Sequence, residues 1–444
     1  MRPWLLATLA VGFMMGLGDR AAADDPPRAV LEKALKAMGG EDLLGRPFAT
    51  HCIMRGTVPI NGKDTYSLTG EVFFQPNGDY KYVLDLNINQ APFNLSMALV
   101  GDKGWRSFSG MFEDLDAANL AEMKLARYYD RVIQLVPLVK EKGFTLASLG
   151  ESKLKDTAVV GVKVASKGQP DIRLFFDKTS GLLIKTEYRA KTPGQEREML
   201  HESHYSDWRV PDPTAADEQI AKAAKIKTDG PSMVEYLRKR LPAAGDAAKI
   251  KQLIEQLNDD SFEVREKATE DLIAIGPPAL PQLRQAAENA ETEVKRRANA
   301  CLKAIGTQPD DKPAVAVVRL VGWRKPAGAA EVLLDWAARL ADDPLGREVR
   351  SALAAVALVN GKPDDVLVKA LESKNPERRA VAEAVLGKDN GAFEKKPGRR
   401  LYLTGIKFPM KAVQFQNGAK MLEREYSDVQ LYNRFDDSVF AKPK

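Results

Sequence analysis

The sequence predicts an α+β protein, in which a meandering antiparallel sheet is interrupted by an all-α block of stacked helical pairs. Three observations predict it. Apolar residues alternate by twos over 49–112 and again over 144–208. From about Pro213 to Lys396 they recur at steps of three and four, in an alanine-rich stretch with an internal repeat. Over about the last 44 residues the alternation returns.

Length and composition bound the rest. A chain of 444 residues exceeds one ordinary domain, and 44% hydrophobic with 29% charged residues excludes a disordered or fibrous chain. Lys+Arg minus Asp+Glu is 66 − 61 = +5, too small an excess for a dedicated nucleic-acid binder. Two cysteines cannot build a disulfide scaffold, and three histidines leave little for a metal site. Cys52 and Cys301 stand in different blocks and read as two separate, mostly buried thiols.

The elements follow in order. Arg2, the apolar run Trp4–Leu17 and Ala21-Ala22-Ala23 have the form of a cleaved signal peptide, 1–23. Its removal takes Arg2, Arg20 and Asp19 and leaves 64 − 60 = +4. No later segment is apolar enough to span a bilayer, so an exported protein of the periplasm or cell envelope is expected. A helix over Arg28–Met38 stops at Gly39-Gly40. Strands with alternating Val58, Leu68, Val72, Phe74, Tyr80, Tyr82, Leu84 and Leu86 follow, punctuated by Asn61-Gly62 and Asn77-Gly78, both hairpin signals. Leu120, Met123, Ala126, Tyr129, Ile133 and Val136 predict one helix over Asp116–Lys140. Strands return at Phe144–Leu149, Ala158–Ser166, Ile172–Asp177, Leu182–Arg189 and Glu198–Trp208.

In the helical block, Glu263-Val264-Arg265-Glu266-Lys267-Ala268 recurs as Glu293-Val294-Lys295-Arg296-Arg297-Ala298. Leu272, Ile275 and Gly276 recur as Leu302, Ile305 and Gly306. Such periods mean stacked helical pairs, with Val264, Leu272, Val294 and Leu302 inward and Pro277-Pro278 opening a new helix. The stretch Asp259–Ala268 resembles HEAT repeats, and the resemblance covers about Ala247–Leu386. The tail, with Leu401–Phe408, Met410–Phe415 and Met421–Leu431 as strands, cannot stand alone in water. The expectation is therefore a sheet domain begun in 24–212, interrupted by a helical insertion at 213–397 and completed by 398–444.

Several runs carry a second resemblance. They are Leu135-Val136-Pro137-Leu138-Val139-Lys140, Lys142-Gly143-Phe144-Thr145-Leu146, Val160-Gly161-Val162-Lys163-Val164 and Phe175-Phe176-Asp177-Lys178. Gly405-Ile406-Lys407-Phe408-Pro409 and Asp436–Pro443 complete them. Together they resemble bacterial exported domains related to the outer-membrane lipoprotein carriers, the LolA-like fold, over most of 28–210 and 400–444. The resemblance implies a curved antiparallel half-barrel with covering helices and an apolar concave side. It carries over no cargo or receptor contacts, because no such residues can be matched.

Catalytic or metal chemistry finds little support. His201 and His204 at i and i+3 on a strand point to opposite faces, as do the neighbours His51 and Cys52. There is no Gly-x-Ser-x-Gly elbow and no phosphate loop. Asp259-Asp260 and Asp342-Asp343 read as helix-start acids, and Ser107–Gly110 and Asp436-Asp437 as turns. The tracts Arg238-Lys239-Arg240, Lys295-Arg296-Arg297 and Arg378-Arg379 are either a solvated face or an electropositive surface.

The informative feature is apolar. Phe74 and the alternating Phe93, Leu95, Met97 and Leu99 give one sheet face a wide apolar lining. It is either core beneath the covering helix or a groove for acyl chains, as the resemblance implies. The expected function is thus a non-catalytic exported protein without cofactor or metal. It binds a lipid or lipoprotein acyl chain through Phe74, Phe93, Leu95, Met97 and Leu99, and a protein partner through the helical repeats. A ligand-free interaction scaffold is the alternative, and an enzyme of unrecognised class the third.

Overall fold

The structure, a computed structural model, describes residues 26–443 except 61–63, 89–90, 192–196, 242–246, 277–278, 290–291, 307–311, 341–343, 360 and 388–396. The expected signal peptide, the Asn61-Gly62 turn, the Pro277-Pro278 helix start and Asp342-Asp343 lie outside the described residues.

Helix α1 (Pro27–Met38) and a single turn α2 (Glu41–Leu44) lead into an antiparallel meander. Its strands are β1 (Ala49–Ile60), β2 (Asp64–Phe74), β3 (Tyr80–Ile88), β4 (Ala91–Val100), β5 (Lys103–Phe108) and β6 (Met111–Asp114). Helices α3 (Ala117–Ile133) and α4 (Val136–Lys140) cross to a second meander. This comprises β7 (Thr145–Leu154), β8 (Thr157–Ala165), β9 (Ile172–Asp177), β10 (Leu183–Ala190) and β11 (Met199–Arg209).

The helical block then runs through α5 (Ala215–Ala223), α6 (Gly230–Lys239), α7 (Ala247–Gln256), α8 (Phe262–Ile275), α9 (Leu280–Asn289) and α10 (Thr292–Gly306). It continues with α11 (Lys312–Arg324), α12 (Ala329–Ala337) and α13 (Pro344–Val356), a small ladder of β12 (Leu358–Val359) with β13 (Lys362–Pro363), then α14 (Asp365–Ala370) and α15 (Pro376–Leu386). The chain ends on β14 (Arg400–Leu401), β15 (Phe408–Gln416), β16 (Ala419–Tyr432) and one 3-10 turn, Asp437–Val439.

The fold class is α+β, with one curved, open, 14-stranded antiparallel sheet and an inserted all-α block. The spatial order is β6-β5-β4-β3-β2-β1-β16-β15-β11-β10-β9-β8-β7, with β14 added beside β16. The last two long strands therefore occupy the middle of the sheet. Strand β16 pairs with β1 from Ala49↔Tyr432 to Thr57↔Glu423, and β15 pairs with β11 from His201↔Gln416 to Arg209↔Phe408.

Three helices cover one face. Leu31, Leu35, Val132, Leu135 and Leu138 pack on Val162, Val164, Ile172, Leu174 and Phe176, all of them buried. Gly39 ends α1 at φ 137°, and a Cβ there would meet the Gly405 carbonyl oxygen at 2.7 Å. Only glycine lets α1 and the 404–407 segment approach so closely. The opposite face carries a thinner layer made by the tail, where Phe435 and Phe440 join Ala49 and Phe73. Trp105 Nε1 donates there to the Phe440 carbonyl at 2.8 Å.

Two boundaries differ from the sequence reading. The helix expected over 116–140 breaks at Gln134–Leu135, with Leu135 at φ 63°. Pro137 lacks an N–H and would clash with the carbonyl four residues back, so the chain restarts as α4. The strand expected over 401–408 is only Arg400–Leu401, because the chain then leaves β16 and Lys407 N donates to the Met38 carbonyl at 2.7 Å.

The repeat positions are interior ones. Ala268, Leu272, Ala298, Cys301 and Ile305 are buried in one helical core, while Val264 and Leu302 are partly exposed. Arg297 departs from the expected solvated tract. Its side chain is 7% exposed and holds Glu266 at 2.8 Å and Glu293 at 2.7 Å, because it lies between stacked helices. The other tracts are largely neutralised at the surface: Arg238 and Lys239 meet Glu235, Arg296 meets Glu293, and Arg378 meets Asp335. Both cysteines are free thiols.

The helical block is tied back to the sheet by buried charge. Arg400, 2% exposed at its side chain, pairs with Glu348 at 3.2 Å and donates to Gln430 Oε1 at 2.9 Å. Arg319 grips the same Glu348 at 2.5 Å and reaches Asp217 at 3.5 Å. Burial alone would raise the Glu348 carboxyl, but Arg400 and Arg319 hold it below its ordinary value. Beside them Tyr402 packs against α11, where a Cβ on Gly322 would meet its ring at 2.6 Å.

Residues 24–212 joined through a short Gly/Ser linker to 398–444 are expected to melt cooperatively. Residues 24–212 alone, which lack the strands between β1 and β11, are expected to show no cooperative transition; equal melting curves by circular dichroism would refute this. Leu272→Ala should lower the stability of the helical block by about 3 kcal/mol in a urea titration, since a fully buried leucine is truncated. A change under about 0.5 kcal/mol would put Leu272 on the wrong face.

Candidate functional site

A cavity of about 560 Å³ opens between the helices and the middle of the sheet. Its floor is Thr50 and Cys52 on β1, Val72 and Phe74 on β2, Tyr80 on β3, Tyr426 on β16 and Tyr205 on β11. Its roof is Asp130, Ile133, Gln134, Val136 and Pro137, from the end of α3 and the start of α4. The break at Leu135 shapes that roof, since a continuous helix would carry these residues straight across the opening. Leu183, Trp208, Ile406 and Phe408 close one side. Both ends of the chain thus contribute, because β16 and the 406–409 segment lie between the two meanders.

Of the five residues singled out from sequence, Phe74 lines the cavity. Leu99 is fully buried in an adjoining cluster with Tyr80 and Met123, against which Phe74, Tyr82 and Met97 pack. Phe93 and Leu95 lie farther along β4, half-buried, opposite Leu86 and Leu84. The cross-strand pairs Phe74↔Tyr80 and Tyr80↔Leu99 put all five on the helix-covered face.

The histidines are spread out as strand geometry demands. His201 stacks on Tyr188 with ring centroids 4.8 Å apart, on the helix-covered face, whereas His204 meets Phe415 edge-on, on the other. His51 stacks on Phe73 and contacts Glu71 at 3.0 Å, while its neighbour Cys52 faces the cavity. Among the described residues no group of three His, Cys, Asp or Glu is placed to hold a metal ion.

The polar part of the cavity escaped the sequence reading. Among the described residues no hydrogen-bond donor reaches the Asp130 carboxyl, and burial, opposed by Arg424, pushes that carboxyl up to about 6. Burial also pushes the Cys52 thiol up to about 12, which leaves it protonated and inert as a nucleophile. Tyr129 on α3 bonds Thr186 Oγ1 at 2.5 Å and the Tyr205 hydroxyl, so those groups are satisfied by one another. The Tyr426 hydroxyl has no protein partner among the described residues, and burial raises its pKa. The one available signal was Asp130 itself, an acid one turn from Ala126 and Ile133 on the apolar stripe of a covering helix.

Asp130 makes stability fall as pH rises. The folded state keeps its proton to about pH 6, whereas the unfolded chain releases it near 4, so ionisation costs stability across that window. Asp130→Asn should therefore stabilise the protein at pH 7.5 by on the order of 2 kcal/mol, with the gain vanishing below pH 4. Urea titrations at the two pH values check this, and a destabilised variant at pH 7.5 would contradict it.

Comparison with known proteins gives fold-level likenesses. A family model of HEAT repeats matches residues 250–316. No curated protein matches the chain. Among solved structures, a LolA superfamily protein from Nitrosomonas europaea is similar at 12% identity and a TM-score of 0.25, over 42% of this chain and 79% of that one. A DUF1329 family protein from Desulfovibrio piger is similar at 12% identity and 0.29, over 42% and 82%. A domain described as outer membrane lipoprotein-sorting, from Vibrio parahaemolyticus, is similar at 8% identity and 0.27, over 41% and 78%.

Proposed function

We propose that this is a non-catalytic exported protein, of the periplasm or cell envelope, that takes up an acyl chain in the cavity between sheet and helices. The helical repeats then serve to bind a protein partner. The observation that carries the reading is the cavity: about 560 Å³, walled mainly by apolar side chains, in the range of small-molecule sites. Phe74 anchors its floor, Leu99 is buried in the adjoining cluster, and the half-buried Met97, Leu95 and Phe93 continue the same apolar face along β4, where the tail of a longer chain would run. A protonated Cys52 and an unpartnered Asp130 form no nucleophile–base pair, which favours binding over chemistry.

Each methylene buried is worth about 0.8 kcal/mol, and ordering costs remove several kcal/mol of the sum, so micromolar affinity is expected. Delipidated protein should take up a fluorescent fatty-acyl methyl ester at micromolar concentration. Phe74→Ser should weaken uptake about tenfold or more, and Leu95→Ser or Met97→Ser should weaken it less, with the melting transition retained. If the delipidated protein takes up no probe and native protein carries no lipid by mass spectrometry, the ligand-free scaffold replaces this reading.

A further inference from the structure

The cavity's lining is mainly apolar; its charged residues Arg46, Arg131, Glu141 and Lys407 are exposed or half-exposed, Arg131 pairing with Glu141 at 2.6 Å, and one polar place is buried. There the Asp130 carboxyl lines the roof, and the Tyr426 hydroxyl lies within electrostatic reach of it on the floor. Tyr80 of β3, Tyr188 of β10 and Arg424 of β16 are other ionisable groups in reach, and Arg131 follows Asp130 on the cavity wall. None of them gives the carboxyl a hydrogen bond among the described residues, and Arg424 is not part of the cavity wall. Buried carboxylates are nearly always hydrogen-bonded, since desolvating the acceptor without a donor is costly. The acceptor missing its donor faces the space a ligand would fill.

We infer that the cavity selects lipids whose polar end is an uncharged hydrogen-bond donor, a hydroxyl head above all, with Asp130 as the acceptor that fixes the head and the apolar walls taking the chain. This rests on the acyl-binding reading and adds the chemistry of the head to it. A hydroxyl supplies the donor that Asp130 lacks and can accept from Tyr426. An anionic head at that place meets the carboxylate as a like charge, while the cations that line the cavity, Arg46, Arg131 and Lys407, are more exposed, with Arg131 already paired with Glu141. Esters and thioesters can accept from Tyr426 but leave Asp130 unmet.

The test uses the full chain and three competitors against the fluorescent methyl ester at pH 8: dodecanol, methyl dodecanoate and dodecyl sulfonate, whose charge does not titrate. Dodecanol should compete about tenfold more strongly than methyl dodecanoate, the worth of one hydrogen bond to an ionised acceptor, and the sulfonate most weakly of the three. Asp130→Leu should remove the preference for the alcohol while still binding the ester. Tyr426→Phe, which keeps the ring, should narrow the preference without reversing it. Equal competition by alcohol and ester, or an alcohol preference that survives Asp130→Leu, overturns the head-group assignment while the acyl cavity stands. Tightest binding by the sulfonate also overturns it, and moves the head to the cations that line the cavity, Arg46, Arg131 and Lys407. If none of the three competes and the reporter itself does not bind, the acyl-cavity reading fails, and this inference with it.

Discussion

The pairing of β16 with β1 is the constraint on which the other features depend. Eight registered pairs join a strand near the C-terminus to the first strand of the sheet, and β15 then carries the ladder on to β11. Without that hairpin the two meanders would expose four bare edges, each with a row of unpaired amides and carbonyls. With it there are two edges, β6 and β7. Everything between Arg209 and Arg400 must therefore leave and return at nearly the same place. The helical block is such an excursion, and its length costs little, because closure entropy grows only with the logarithm of the loop.

The return point is where the fold invests buried charge. Glu348 comes from the helical block, Arg400 from β14, and Gln430 and Tyr432 from β16. A buried pair of this kind is a weak source of net stability, since desolvation offsets most of the attraction. Its geometric demand is strong, however, because a helix shifted by one turn would strand a carboxylate and two guanidinium groups without partners. Tyr402 against Gly322 adds a steric lock that no larger residue at 322 would admit. The network thus fixes where the block sits relative to the strand that completes the sheet.

Period was legible in the sequence wherever one face of an element is buried. The alternation of Leu68, Val72 and Phe74 and the repeated Leu272 and Ile305 read directly as strand and helix interiors. The orphan tail likewise required a partner sheet before any pairing was known. Tertiary choices were not legible. Nothing local distinguishes Arg297, wedged between helices, from Arg296 on the surface beside it. The break at Leu135 depends on Pro137 winning over an apolar stripe that continues through Val136. The cavity is harder still, since its walls come from β1, β2, β3, β10, β11, β16, the four helices α1 to α4 and the 406–409 segment. Phe74 could be named because it belongs to a pattern, whereas Asp130 and Tyr426 matter only through what surrounds them.

That distinction bears on why the cavity is not simply filled. A leucine at 130 would extend the stripe of Ala126 and Ile133, give that part of the roof apolar atoms and remove a carboxyl that burial holds near pH 6. The helix instead keeps an acid there, opposite a tyrosine that likewise finds no partner in the protein. Several neighbours on the same face are paired instead: Tyr129, Thr186 and Tyr205 satisfy one another, and Tyr80 donates to Met123. Pairing is not universal there, since the Tyr128 hydroxyl, His201 Nε2 and Arg424 Nε are buried without a hydrogen-bond partner among the described residues. What sets Asp130 and Tyr426 apart is that their unpaired groups line the cavity, and a binding site needs such groups, because donors and acceptors already paired within the fold have nothing left to offer a ligand.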